Sequence, residues 1–382
     1  MKDLKIPLHK SYLDNAELAS VGEVLKSGKL CGDGPVSRRV QLDMCRRFGS
    51  KHALLTSSCT HAMELSLMVL GIGPGDEVIC PSFSFVSTAN AIVQQRARPV
   101  FGEILEDTLN LDPGDVEAKI TTRTRAILVV HYAGIACDMD AINALARHHN
   151  LAVIEDAAHA VGARYKGKFL GTFGEMGCYS FHETKNITCG EGGAFLTDNA
   201  EYARRAEIMR EKGTDRAAFL RGEVDKYTWR APGSSYVLSE MQSAILAVQF
   251  EKLDFITRRR QQIFQRYLQG FEEEQKAGKL ILPIVPNECQ PNGHIFYVRV
   301  DSETIRNRCL EGLRAAGIGA TFHFIPLHSS PFGRELNQGR PVELAITDRV
   351  SRTLLRLPIY PSLTDEEVDF VILTLGNLLK SQ

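Results

Sequence analysis

Apolar residues in this chain follow two alternating habits. Short, mostly apolar runs occupy positions 52–56, 78–80, 99–103, 126–131, 151–154 and 177–181, bounded by polar or turn-forming residues. Between them, apolar positions recur every three or four residues. The runs read as strands buried on both faces and the stretches between them as helices. That rhythm predicts a mainly parallel sheet with helices on both sides.

Local signals sharpen the pattern. Asp14 with Glu17 forms a capping box for a helix whose apolar face is Leu18, Val21 and Leu25, and Gly28 ends it. Ser57-Ser58-Cys59-Thr60 leads into an amphipathic helix reaching Leu70. Tyr165-Lys166-Gly167-Lys168 reads as a tight turn between two short extended runs. After Gly193 come a strand over 194–197, a helix to about Lys212, and an irregular basic and aromatic stretch over 213–236. A helical pattern then runs from Ser239 to about Glu274, with Arg258-Arg259-Arg260 reading as a solvated face. Pro283 and Pro286 start a new set: strand 295–300, helix 303–316, strand 321–324 and two further helices, the last capped by Thr364 with Glu367.

At 382 residues the chain is too long for one ordinary core and fits two domains, which we divide at 1–255 and 256–382, inside the long helix. Lys plus Arg number 45 against 46 for Asp plus Glu, so no global field draws nucleic acid or a membrane surface. An anionic substrate must be held by local groups. No apolar run reaches bilayer length, and Met1-Lys2-Asp3-Leu4-Lys5 offers no signal core. Nine cysteines, an odd number without a Cys-x-x-Cys pair, read as buried reduced thiols of a cytoplasmic protein. They supply neither a disulfide framework nor a zinc site. His323 and His328 stand five apart with no suitably spaced carboxylate, which argues against a metal.

The candidate chemistry sits between positions 151 and 193. The run 151–154 ends in Glu155-Asp156, a carboxylate at the C-terminal end of a buried strand, where ligands of open α/β sheets bind. Lys185 follows 29 residues later (185 − 156), in a loop closing on Gly190-Glu191-Gly192-Gly193. A buried Asp and a loop Lys together suit pyridoxal phosphate, whose aldehyde needs an amine and whose ring nitrogen needs an anion. Singly, each residue has a plainer reading: an Asp after a strand caps the next helix, and a loop Lys is solvated. The small polar turn 57–60, entering a helix, suits a phosphate, with ordinary N-capping as its plain reading.

The ordered set Glu155-Asp156-Ala157-Ala158-His159, Ser180-Phe181-His182-x-x-Lys185 and Gly190-Glu191-Gly192-Gly193 resembles the DegT/DnrJ/EryC1/StrS family of nucleotide-sugar aminotransferases. The likeness extends from Ser27 to His328. It implies an α/β aminotransferase of fold type I, with a large, mainly parallel sheet domain and a smaller C-terminal α/β domain. It also implies a homodimer with shared active sites and pyridoxal 5'-phosphate as cofactor. In that reading Lys185 and Asp156 are catalytic, Phe85 stacks on the cofactor ring and His159 flanks it. Ser180, Thr60 and the amides near Cys59 hold the phosphate; Cys59 stands where many members have Gly. Ser235 replaces the Asn or Arg with which many members reach the neighbouring subunit's phosphate.

The resemblance also implies glutamate as donor. Its outer loops (27–34, 211–214, 227–230 with 233–236, and 325–328) point to a dTDP-4-keto sugar aminated at C4 with the new amine axial. In the basic stretch, Arg216, Arg221, Lys226, Tyr227, Trp229 and Arg230 would suit a base and a diphosphate. Alternatives remain: amination at C3 of a dTDP-3-keto sugar, a dehydratase of the same family, or a non-catalytic relative. Lys185 stands against the second, where a His replaces the Lys, and Asp156 with Lys185 against the third.

Overall fold

The computed structural model describes residues 5–380; Met1 to Leu4, on which most of the expectation of no signal core falls, lie outside the described residues. The strands are β1 His52–Thr56, β2 Glu77–Pro81, β3 Arg98–Gly102, β4 Thr124–Val130, β5 Ala152–Asp156, β6 Arg164–Tyr165, β7 Lys168–Phe169, β8 Met176–Ser180, β9 Gly193–Thr197, β10 Cys289–Gln290, β11 Phe296–Arg299 and β12 Leu354–Leu357. Seven of them form one sheet in the order β1-β9-β8-β5-β4-β2-β3. All its pairings are parallel except those of β9, which is antiparallel to both neighbours. The expected mainly parallel sheet is therefore present.

Side chains alternate across it with period two. Ile127, Val129 and Val153 enter a core with Val40, Met44, Phe48 and Phe250. Ala126, Leu128 and Ile154 enter another, against Ala62, Met63 and Leu65 of helix Cys59–Leu70. Complete burial of such an aliphatic side chain stabilises by roughly 1.5–3 kcal/mol. The same alternation sends the two acids at the end of β5 to opposite faces. Glu155 accepts the amides of Gly171, Phe173 and Gly174 at 2.5–2.7 Å, with His131 Nε2 at 2.9 Å, and so fastens the loop before β8. Asp156 faces helix Cys59–Leu70.

A third core joins Ile263, Phe264 and Tyr267 to β11, β12 and helix Asp365–Lys380. Helix Glu240–Gly270 serves two cores, through Leu246, Leu253 and Ile256 at one end and Ile263 onward at the other. That switch is the support for our proposed division at 255/256. Ile6 returns to the third core and pairs with the backbone at Gly317 and Gly319. The tight turn forms as expected, with Lys166 and Gly167 at φ 49° and 79° between β6 and β7.

Several local expectations fail. Leu18 and Leu25 of helix Asn15–Ser27 point outward, 72% and 55% exposed, while Glu17 and Val24 are buried. Glu17 turns inward because Lys252 and Gln249 of the long helix hold its carboxylate at 2.6–2.8 Å. Helix Cys59–Leu70 is buried on nearly every side, not amphipathic. Residues 321–324 form no strand, only an isolated bridge from Thr321 to Arg356. Strand β12, just after helix Ala345–Thr353, pairs with β11 instead, and Pro331–Leu336 adds a third helix after position 324. Cys31 is exposed and Cys45 half-buried, against an expectation of buried thiols. Among the described residues no helix is long and apolar enough to cross a membrane.

Candidate active site

A cavity of about 530 Å³ opens at the C-terminal ends of the parallel strands. Its first wall comes from the sheet. Asp156 closes β5, buried, with Thr88 Oγ1 donating to Oδ2 at 2.9 Å and the Ala158 amide to Oδ1 at 3.1 Å. Burial pushes its carboxyl up, opposed by those two hydrogen bonds and by the Lys185 charge. Lys185 stands opposite in a loop that closes on itself: Phe181 and Glu183 amides donate to Gly192 and Gly190 carbonyls, both at 2.8 Å. Burial lowers the Lys185 amine from 10.5 to about 8; Asp156 works against that shift and Arg356 with it. A lysine near 8 has a large neutral fraction at physiological pH, the form that attacks an aldehyde carbon.

The turn at Ser57–Thr60 completes this wall. Ser58 caps helix Cys59–Leu70, its Oγ accepting the His61 amide at 3.1 Å. The helix's first two amides, Cys59 and Thr60, come before that bond, at the positive end of the dipole. Gly193 makes the turn possible: a Cβ there would lie 2.4 Å from Cys59 N and Ser58 C. Thr60 Oγ1 donates to Ser87 Oγ at 2.8 Å, and Ser180 accepts the His182 amide at 3.4 Å. Cys59 Sγ lies 3.9 Å from Asp156 Oδ1. Phe85, whose pattern alone reads as core, is 59% exposed and lines the cavity.

His159 lines it too, its Nδ1 accepting the Ala133 amide at 3.4 Å, with ring centroids 4.6 Å from His294 and 6.3 Å from His323. Burial holds His159 well below the ordinary histidine range, helped by the charges of Lys185 and Arg356. Seven of the eight residues singled out from sequence thus meet in one cavity. Ser235 is the exception: it is exposed and bridges Glu211 outside the cavity of its own chain.

The second wall was not anticipated. Arg260, read as part of a solvated run, is 1% exposed and lines the cavity. Its Nε donates to the Gly293 carbonyl at 3.2 Å and its NH2 to the His294 carbonyl at 3.1 Å. Arg356 in β12 and His323 approach at 3.5 Å, and Tyr132 OH meets His323 Nδ1 at 3.1 Å. A signal for Arg260 existed: it falls in the helical stripe of Leu253, Ile256, Ile263 and Tyr267, spaced by three or four. In the stretch 213–236, Arg221 is committed to Glu207 and Glu223 and Arg230 to Asp215, while Trp229 is 80% exposed.

These groups fit a flat, anionic aldehyde. A buried carboxylate destabilised by burial is suited to a cationic ring N–H, and the glycine-cradled helix start is suited to a phosphate. Residues 11–376 match the DegT/DnrJ/EryC1/StrS aminotransferase family. The chain is 36% identical to the spore coat polysaccharide biosynthesis protein SpsC of Bacillus subtilis (strain 168), covering 98% of this chain and 97% of SpsC. It is similar to S. venezuelae DesV, solved in complex with a ketimine intermediate, at 35% identity and TM-score 0.87 over 95% and 94% of the two chains. It is also similar to Spr1654 from Streptococcus pneumoniae in its PMP-form, at 27% identity and TM-score 0.90 over 99% and 100%. Spr1654 is known in a PLP-form as well. Pyridoxal phosphate is the cofactor of this family's aminotransferases.

Proposed function

We propose, for a chain that belongs to the DegT/DnrJ/EryC1/StrS aminotransferase family, that it moves the amino group of glutamate to C4 of dTDP-4-keto-6-deoxyglucose. The products are dTDP-4-amino-4,6-dideoxygalactose and 2-oxoglutarate. The observation that carries aminotransfer is the meeting of Asp156, Lys185 and the Ser58–Thr60 turn in one cavity. The C4 acceptor rests on the outer loops, which look most like the dTDP-4-amino-4,6-dideoxygalactose transaminase of enterobacterial common antigen synthesis.

Pyridoxal phosphate, when bound, supplies a sink for the electron pair left as a carbon–hydrogen bond breaks beside nitrogen. The chain's residues do the rest. Lys185 holds the cofactor and, once displaced by the donor, takes the proton from the donor Cα. Asp156 keeps the ring nitrogen protonated, and Thr88 and the Ala158 amide fix its carboxylate in place. Thr60, Ser180 and the Cys59 and Thr60 amides would hold the phosphate; Phe85 would stack on the ring and His159 would flank it, both lining the same cavity. Ser235 serves the neighbouring subunit of a homodimer, for which the outward Leu18 and Leu25 are further support. We read the protein as cytoplasmic, with its free cysteines as the support.

The test is the purified protein with cofactor, glutamate and dTDP-4-keto-6-deoxyglucose. Proton NMR of the product should give a small H3–H4 coupling, the mark of an axial amine. A large coupling, or amination of a 3-keto sugar alone, would overturn the C4 galacto reading.

A further inference from the structure

The segment ahead of helix Asn15–Ser27 has no part in the chemistry described so far, yet Leu8 and His9 line the cavity. Two anchors set its course. Ile6 is buried in the third core, its amide donating to the Gly317 carbonyl at 3.1 Å and its carbonyl accepting the Gly319 amide at 2.7 Å. Gly319 permits that approach, because a Cβ there would lie 2.4 Å from the Leu8 nitrogen. At the other end the Tyr12 carbonyl accepts Gln249 Nε2 of the long helix at 2.8 Å, and the Tyr12 and Phe255 rings meet at 5.3 Å. Residues 7–11 therefore pass along the cavity between the third core and the long helix.

On the way they touch the Lys185 loop. His9 Nε2 donates to the Glu183 carbonyl at 2.6 Å, and Ser11 Oγ donates to the same oxygen at 3.1 Å. A carbonyl has no proton to give, so the hydrogen of the neutral His9 ring sits on Nε2. Burial, helped by the Arg260 charge, holds His9 down at about 4 against that bond, so the ring is neutral at physiological pH. Glu183 is exposed, and water alone could satisfy its carbonyl. Two side chains converging on it from 172 and 174 residues away serve placement, not satisfaction. Gln249 adds a second tie, since its Oε1 accepts the Thr188 amide at 3.3 Å while its Nε2 holds Tyr12.

We infer that His9 and Ser11 are positioning residues for the reaction, holding the Glu183 carbonyl so that Lys185 is presented to the cavity. The inference rests on Lys185 as the residue that takes the cofactor, and it adds what aims that lysine. Bonds within the loop set its shape: the Glu183 amide donates to Gly190 and the Lys185 amide to His182, at 2.8 and 2.9 Å. Placement against the rest of the chain comes from outside. After the lysine, Asn186 is tied to the Asn292 carbonyl and to His294. Before it, His9 and Ser11 hold Glu183. Lys185 is thus fixed from both directions along the backbone, and the N-terminal segment supplies one of the two.

The test is capture of pyridoxal phosphate by cofactor-free protein, followed by stopped-flow absorbance at fixed pH, with hydrogen exchange of residues 181–192 and a thermal melt alongside. His9→Phe keeps a ring in place and loses the donor. Capture should slow about fivefold, the loss of one hydrogen bond, and exchange over 181–192 should rise while the melt stays where it was. His9→Gln carries its amide Nε2 as many bonds from Cα as the imidazole Nε2 and should restore both readouts. His9→Asn, one carbon shorter, should not. Ser11→Ala should move both in the same direction by less, and it keeps the test alive if the His9 variants do not fold. Parent-like capture in folded His9→Phe and Ser11→Ala would overturn the inference. So would a lowered melt with capture and exchange unchanged, which is what a merely structural contact gives, or His9→Gln as slow as His9→Phe. Failure to aminate any keto sugar would instead count against the proposed function, since capture involves no turnover.

Discussion

On one side of the cavity, Asp156, Ser180 and Lys185 stand at the ends of β5 and β8 and in the loop to β9. On the other, Arg260, His294, His323 and Arg356 come from a helix, two loops and a strand spread over about a hundred residues. The first wall is positioned by a backbone ladder, in which each strand fixes the next and the alternation of side chains fixes which residue faces inward. The second is positioned by side chains bonded to distant backbone. Asn292 Nδ2 donates to the His159 and Val161 carbonyls at 2.9 Å each, Asn186 Nδ2 to the Asn292 carbonyl at 3.0 Å, and His294 Nδ1 meets Asn186 Oδ1 at 2.8 Å. In the proposed reading the covalent chemistry rests on the rigid sheet, while the facing wall sits on a seam between the cores, where a few hydrogen bonds set the spacing.

The sharpest way to break this division is at Lys185. Lys185→Ala should abolish transamination and the visible absorbance of cofactor held through that amine, while the melting transition stays cooperative. Normal turnover with the parent absorbance would remove Lys185 from the chemistry. Asp156→Asn should come next. It retains cofactor through the phosphate turn, but a neutral amide stabilises a ring cation poorly. The half-reaction with glutamate, followed by single-turnover spectra, should slow on the order of a hundredfold, within the range for a lost electrostatic stabiliser of developing charge. A parent rate would show that Asp156 does not face the ring nitrogen.

The second wall predicts a different kind of damage. Asn292 is 1% exposed, and its amide bridges two carbonyls across the seam. Asn292→Ala leaves both carbonyls without that donor, which costs roughly 1–3 kcal/mol of stability. Denaturant unfolding should show that loss, and cofactor affinity should change little because the sheet wall is intact. Undiminished stability, or a loss of cofactor without a loss of stability, would mean that the two walls are not separable in this way.

The sheet wall could be read from sequence because its signals are local. An apolar run ending in Asp156, a glycine at 193 and a lysine in the intervening loop need no knowledge of distant contacts. The opposite directions of Glu155 and Asp156 also follow from strand period alone. Arg260 was hidden because a run of three arginines resembles a solvated face, and only its place in the 253–256–263–267 stripe shows otherwise. Arg356 and His323 gain meaning only when β12 pairs with β11, a contact between positions more than fifty residues apart. Leu18 shows the reverse error: Glu17 is buried in its place because Lys252, far along the chain, neutralises it.

The smallest expected effect joins both walls through one proton. Formation of the bond between Lys185 and the cofactor aldehyde needs the neutral amine, so in cofactor-free protein the uptake rate should rise with pH through about 8, well below the 10.5 of an ordinary lysine. Burial sets most of that shift, and it is the same whichever wall is altered. The two charges act oppositely: the Asp156 carboxylate favours the ammonium and raises the midpoint, while the Arg356 guanidinium disfavours it and lowers the midpoint. Asp156→Asn should therefore move the uptake midpoint down and Arg356→Gln should move it up, each by less than the burial shift. Stopped-flow absorbance of pyridoxal phosphate uptake from pH 6 to 10 gives all three midpoints. Shifts of the same sign would mean that one wall does not face Lys185. A parent midpoint near 10 would mean that the amine is solvated and that burial does not prepare it for reaction.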